Sequence, residues 1–298
     1  MSTRVRLPTA LLAIAMTLTA CSATTPGTAQ PSAVPPTTAP AATPEGLAHP
    51  TGATEIVLRF DEAGGFVPME WMAAHVPYFT LYGDGRVVFV STSPIVQPTP
   101  EGATTGMPIR TAVLMERQVQ DLLLFALRDG GLGAARTDYP NQNVADAPTT
   151  VFEIHADGDS KTVSIMALGM DGELGSDTAI MAAFSKLAGL LRDFDRGGSL
   201  GSAPYVPTAY RAVLTDASGA QGVRVREWPW ADLAPTDFRL PADPNVLQLQ
   251  TRVLTPVQAL AIGVEGFENG IAGGVYLRGP DGAPYSLVLR PLLPDEDA

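Results

Sequence analysis

A single cysteine, three histidines, three tryptophans and a few acidic clusters are the residues of this chain with chemistry to offer. His75 follows Asp61, Glu62 and Glu70, so a His–carboxylate site is one option. The spacing matches neither HExxH nor any other metal-ligand pattern and favours a structural or surface histidine. His155 falls on the polar face of a predicted hairpin strand, and His49 in a Pro/Ala/Thr-rich segment. Asp157 with Asp159, and Asp171 with Glu173 and Asp177, have oxygen-ligand spacing but too few donors for an EF-hand loop. Turn formation and helix capping account for them. Asp61 and Glu62 are neighbours at a predicted strand end, where adjacent side chains face opposite ways. The chain is read as lacking a nucleophile elbow, an SxxK motif and both glycine-rich nucleotide loops. No cofactor and no metal are expected. Trp71, Trp228 and Trp230 lie in irregular, Pro-containing stretches. There they form a partner-binding surface or, as favoured, plug sheet ends.

Cys21 is placed differently. Arg4 and Arg6 precede an apolar run from about Thr9 to Ala20, the plan of a signal peptide. That run is too short to span a bilayer as a helix, which takes about 20 apolar residues. Leu18-Thr19-Ala20-Cys21 follows, and this resembles the bacterial lipobox. The resemblance implies a diacylglyceryl thioether on Cys21, cleavage between Ala20 and Cys21, and acylation of the new amino terminus. Two or more acyl chains anchor stably where one does not. Without an Arg-Arg pair in the leader, general secretion is expected rather than twin-arginine export. No cysteine follows Cys21, which removes disulfides, thiolate nucleophiles and cysteine zinc sites.

Phe79-Thr80-Leu81-Tyr82-Gly83-Asp84-Gly85-Arg86-Val87 and Arg290-Pro291-Leu292-Leu293-Pro294-Asp295-Glu296 resemble stretches of secreted or lipid-anchored proteins of actinobacteria and their relatives. No activity or catalytic residue comes with that resemblance.

The 298 residues carry 19 basic and 31 acidic side chains. Loss of Arg4 and Arg6 with the leader leaves 17 against 31, a formal charge of −14. An acidic surface argues against nucleic acid and against lying flat on anionic lipid. Residues 21–52, rich in Pro, Ala, Thr and Ser, are expected to form a disordered tether behind the lipidated cysteine. The tail Pro294–Ala298 is expected to fray.

The elements that must position these side chains follow from periodicity. Strands are expected over Thr54–Phe60 and Ile109–Leu114, with hairpins at 78–90 and 149–168, the first turning on Asp84-Gly85. Val119, Leu122, Leu123, Ala126 and Leu127 stripe one face of a helix over 116–128. Ile180, Phe184, Leu187, Leu191 and Phe194 do the same over 177–194. Gly64-Gly65 and Pro68 mark an irregular connection, and Gly197-Gly198-Ser199 a hinge. Beyond it come strands at 210–214, 223–227 and 247–254, a short helix opened by Thr255-Pro256, and a hairpin joining 274–277 to 285–289. The fold class is α+β: antiparallel sheets with hairpins, covered by a few helices. A strand–helix–hairpin order at 109–168 and again at 247–289 suggests two similar units, 53–198 and 199–298. The alternative is one continuous domain.

These readings converge on an exported, lipid-anchored, extracytoplasmic module that binds an envelope protein or ligand and touches the membrane through Cys21. The competing reading is a cell-envelope hydrolase with dispersed carboxylates. A cleft with a His–acid pair favours the enzyme; an apolar groove lined by tryptophan favours the module. The anchor makes its own prediction. Cys21→Ala should abolish lipid labelling and release the protein from the membrane fraction; unchanged fractionation and mass would refute the anchor.

Overall fold

Arg86-Val87-Val88-Phe89-Val90 is apolar on both faces, and a strand buried on both faces needs a layer on each side. The computed structural model supplies both layers. It describes residues 46–91, 97–98, 102–141, 143–170, 177–196, 199–245 and 247–296. The leader, Ala20, Cys21, most of the tether, the loop from Asp171 to Ser176 and Gly197-Gly198 lie outside the described residues.

In chain order the strands are β1 (Ile56–Gly64), β2 (Phe79–Tyr82), β3 (Arg86–Val90), β4 (Gln97–Pro98), β5 (Thr104–Gly106), β6 (Ile109–Val113), β7 (Asp138–Tyr139), β8 (Pro148–Ala156) and β9 (Asp159–Met166), followed by β10 (Ala203–Pro204), β11 (Tyr210–Asp216), β12 (Val225–Glu227), β13 (Gln250–Leu254), β14 (Ile271–Arg278) and β15 (Pro284–Pro291). The helices are α1 (Met69–Ala73), α2 (Glu116–Leu127), α3 (Thr178–Arg192) and α4 (Pro256–Leu260). One sheet runs β10-β6-β3-β2-β1-β8-β9-β7. The other runs β13-β11-β15-β14-β5-β4, with β12 against β14. Pairing is antiparallel except for β7 with β9 and β12 with β14, so the class is α+β as the patterning implies.

Strand alternation sorts the apolar side chains into three layers. Val87 and Phe89 join Phe60, Phe152 and the stripes of α2 and α3 on one face of the first sheet. Val88, Tyr82 and Ile109 point the other way and meet Val213, Ile271 and Val288 of the second sheet. Ala212, Leu214, Leu287 and Leu289 look outward from the second sheet onto Trp230, Phe238 and the α4 region. The sheets also exchange chain: β4 and β5 complete the second sheet through β14, and β10 extends the first through β6.

The hairpin turn at Asp84-Gly85 forms as its residue types require. Gly85 has φ +81, and a Cβ there would lie 2.7 Å from the Leu114 carbonyl oxygen. α1 was not expected. Its five residues are too few for a periodic stripe and bury none of their own side chains fully.

The acidic tail corrects an expectation: its described part, to Glu296, is docked rather than frayed. Arg59 on β1 grips Asp295 through Nη2 at 2.7 and 2.8 Å, and the Tyr82 hydroxyl donates to Asp295 at 2.5 Å. Arg290, only 3 % exposed on β15, forms a two-pronged pair with Glu296, and the Leu293 N–H donates to Glu296 at 2.8 Å. Burial pushes the Glu296 carboxyl up. The hydrogen bond and charge of Arg290, the Leu293 N–H and the charge of Arg211 pull it further down, to a net value below the usual range. Composition marks the tail as solvated because the partners of Asp295, Arg59 and Tyr82, lie on distant strands. The start of the fold differs too. Leu47 exchanges two hydrogen bonds with Gln120 of α2, and the Ala48 carbonyl accepts from Asp157 N–H, so Gly46–Gly52 packs on the domain instead of belonging to the tether.

Removing one partner of a buried ion pair leaves the other uncompensated. Glu296→Ala is expected to cost about 3–5 kcal/mol, read from urea denaturation. A carboxylate whose folded pKa is depressed contributes stability above its unfolded pKa and loses it as pH falls through the folded value. The Tm should therefore drop as pH goes below the ordinary glutamate range, and the drop should be shallower in Glu296→Gln.

Candidate functional site

β1 ends in Gly64 with positive φ, and the chain swings out through Gly65, Phe66 and Val67 before α1 brings it back. α1 starts without a side-chain cap; the Pro68 carbonyl takes the N–H groups of Trp71 and Met72 at 3.0 and 3.1 Å. Trp71 then lies against Gly273 on β14. A Cβ on Gly273 would sit 2.4 Å from the indole Cζ2, so only glycine admits the ring there. The same two residues, Gly273-Gly274, sit at an irregularity in the β14–β15 register.

Beneath α1 is a cleft of about 390 Å³. Trp71, Met72 and His75 line it together with Glu62 at the end of β1 and Tyr78. Met107 and Ile271 line it from the strands of the second sheet and their approach. Met107 has φ +51, a left-handed conformation rarely occupied by a long side chain. Its neighbours hold it there: Ile109 N–H donates to the Asn269 carbonyl at 2.6 Å, and Asn269 Nδ2 returns a bond to the Ile109 carbonyl at 3.1 Å.

The polar groups are paired. His75 Nε2 meets Asp61, with Tyr78 edge-on to the imidazole at 6.5 Å between ring centres. Glu62 pairs with Arg192 at the end of α3 and accepts from the Thr150 hydroxyl at 3.2 Å. Asp61 and Glu62 thus face opposite ways, as strand geometry dictates. Burial first and the Glu62 charge second push the Tyr78 hydroxyl up, so it stays protonated and can donate.

The segment that leads into α1 is apolar and exposed, and its Val67 and Met72 line the cleft. Phe66 is 96 % exposed, and Val67, Met69 and Met72 are exposed beside it. Trp228 and Trp230 stand elsewhere, on the outward face of the second sheet. They meet edge to face at 5.1 Å and border a separate hollow of about 600 Å³. Trp230 is 6 % exposed, and both indole N–H groups already donate to backbone carbonyls, of Leu233 and Gln258, at 2.7 and 2.8 Å. The three tryptophans do not converge, and Trp71 alone borders the cleft.

One motif reading needs correcting. Gly197-Gly198-Ser199-Leu200-Gly201 does spell GxSxG. A nucleophile elbow joins a strand to a following helix, whereas Ser199 follows α3. Its hydroxyl donates back to the Asp195 carbonyl at 3.4 Å. His155 bonds Glu153 and Ser160 on its own hairpin, at 2.8 and 2.9 Å, away from the cleft. Among the described residues no helix is long and apolar enough to cross a membrane.

No protein-family profile, curated protein or solved structure matches this chain.

The Trp71–Gly273 contact predicts a coupling. Gly273→Ala should displace the indole and cost about 1–3 kcal/mol by overpacking. In a Trp71→Ala background the same substitution should cost little. A double-mutant cycle by thermal or urea unfolding measures the difference; additive costs would mean the contact carries no weight.

Proposed function

We propose that this chain is an exported, lipid-anchored binding module of the bacterial envelope, working outside the cytoplasmic membrane, with the cleft under α1 as its site. The observation that carries this reading is a short segment with Phe66, Val67, Met69 and Met72 exposed, of which Val67 and Met72 line a cleft walled by Trp71. Leaving a phenylalanine in water forgoes about 1.5–3 kcal/mol relative to burial. Here several large apolar side chains do so within one short segment, while polar partners wait behind them. That combination of apolar rim and a few placed polar groups is what a ligand or partner site needs.

The tether fits this reading. The folded chain starts beside the turn between β8 and β9, where Asp157 N–H meets Ala48. The cleft lies at the other end of β1 and β8, where Gly64 faces Pro148. Nine-residue strands at about 3.3 Å per residue separate the two ends by roughly 30 Å. A domain held through Cys21 carries its cleft at the pole away from its attachment.

A second reading, an envelope hydrolase, has one observation in its favour. His75 with Asp61 is a base with an orienting acid at the edge of a cleft. Against it, the carboxylates there are already engaged, Asp61 by His75 and Glu62 by Arg192 and the Thr150 hydroxyl.

The test is site-specific photo-cross-linking in intact cells. A photoreactive residue at position 66 should trap one envelope component, and one at Val257, exposed on α4 at the outward face of the second sheet, should not. Equal trapping from both positions, or none from position 66, would overturn the binding reading. Turnover of an envelope polymer by the native protein but not by His75→Gln would put the hydrolase in its place.

A further inference from the structure

We propose that the cleft binds a soft monovalent metal ion, Cu(I), through the thioethers of Met72 and Met107 and the imidazole of His75. This rests on reading the cleft as the binding site and names its ligand. Methionine sulfur and neutral imidazole form a donor set suited to Cu(I); hard cations such as calcium and magnesium want oxygen. All three side chains line the one cleft of about 390 Å³. Met72 and His75 are three residues apart at the end of α1, and the His75 N–H donates to the Met72 carbonyl at 3.2 Å. That turn sets the two side chains on one side of the chain.

The imidazole is held as a metal ligand is held. Its Nε2 faces the Asp61 carboxylate, and Nδ1 has no hydrogen-bond partner among the described residues. A ligating histidine characteristically gives its other ring nitrogen to a carboxylate, which fixes the tautomer and turns the free nitrogen to the ion. Asp61 is thus a positioning residue.

Met107 provides a separate argument. Glycine or asparagine suits left-handed backbone at far lower cost than a long side chain. The fold nevertheless keeps a methionine at φ +51 and clamps it from both sides, by the pairing of Gly106 with Ile271 and by Ile109 with Asn269. An apolar wall has no need of a thioether at that point; a sulfur ligand does. Met69, exposed at the start of α1, is a further thioether in the same short segment. Among the described residues no three histidines, cysteines or carboxylates are grouped to hold an ion, so the thioethers have no rival oxygen or thiolate cage there.

The test uses the full chain carrying Cys21→Ser, so that no thiolate competes. Anaerobic titration with Cu(I) against a chromophoric Cu(I) chelator should give one bound ion per chain. Met72→Leu and Met107→Leu keep the volume and remove the sulfur; each should weaken binding roughly tenfold or more, as should His75→Gln. Asp61→Asn should weaken it by about 10–100-fold. Met115→Leu, an exposed methionine capping α2, should change nothing. Cu(I) should alter tryptophan emission in this protein and not in its Trp71→Phe form. Far-UV circular dichroism confirms that each variant is folded. Absence of a 1:1 complex, or a complex untouched by the three ligand substitutions, overturns the proposal. If cross-linking from position 66 persists in that case, the cleft keeps its binding role and the metal alone is removed.

Discussion

The two sheets meet across an apolar layer that is sealed by two arginine–carboxylate clamps, and the rest of the architecture depends on that seal. Arg59 reaches from the first sheet to Asp295, and Arg290 from the second to Glu296. The adjacent tail residues therefore bridge the sheets like a rivet with one end in each. Buried ion pairs contribute little net stability over an apolar core of the same shape. Their value here is geometric. Charged groups that must be paired once water is gone admit few registers of one sheet over the other, while Val88, Ile109, Val213 and Val288 alone admit several. With register fixed, β5 can reach β14 and α1 can lie over the seam.

The cleft is a product of that seam. Its walls come from both sheets, and two departures from regular backbone, the Gly273-Gly274 irregularity and left-handed Met107, lie on the second-sheet side. One admits an indole that a larger residue would exclude. The other holds a long side chain where a small one is cheaper. Strain and close approach concentrated at one hollow is the usual mark of a site at which local rules are broken for function. The exposed Phe66–Met72 segment fits the same account: residues that would lower the free energy by burial are kept in water beside the cleft.

Much of this frame is legible in the residues. Strand and helix periodicity place the long elements to within a few positions, because Val87/Phe89 and Leu122/Leu123/Ala126 repeat at periods that only one geometry satisfies. What escapes is whatever is decided by partners far along the chain. α1 is too short to announce itself, and its stability comes from lying on the second sheet. Asp295 and Glu296 look solvated until Arg59, which is 236 residues away, and Arg290 are brought to them. The proximity of Asp61 to His75 is visible in the chain, and the pair does form. Its meaning depends on Met107 and Ile271, which no local spacing connects to it. Gly273-Gly274 inside an apolar strand is a local signal that the sequence reading passed over, since glycine there marks a bulge or a close approach.

The clamp at Asp295 also sets a timetable. Arg59 and Tyr82 belong to strands made early, and their carboxylate lies 236 residues beyond Arg59. At about 5–20 residues per second, the gap of 236 residues amounts to roughly 10–50 s of synthesis. Throughout that interval β1 and β2 carry polar groups that cannot be buried without penalty, and the second sheet lacks β15. A nascent chain that has not yet reached Asp295 therefore has no carboxylate there for Arg59 and Tyr82. The rivet thus ties the closing of one sheet over the other to the arrival of a residue far along the chain.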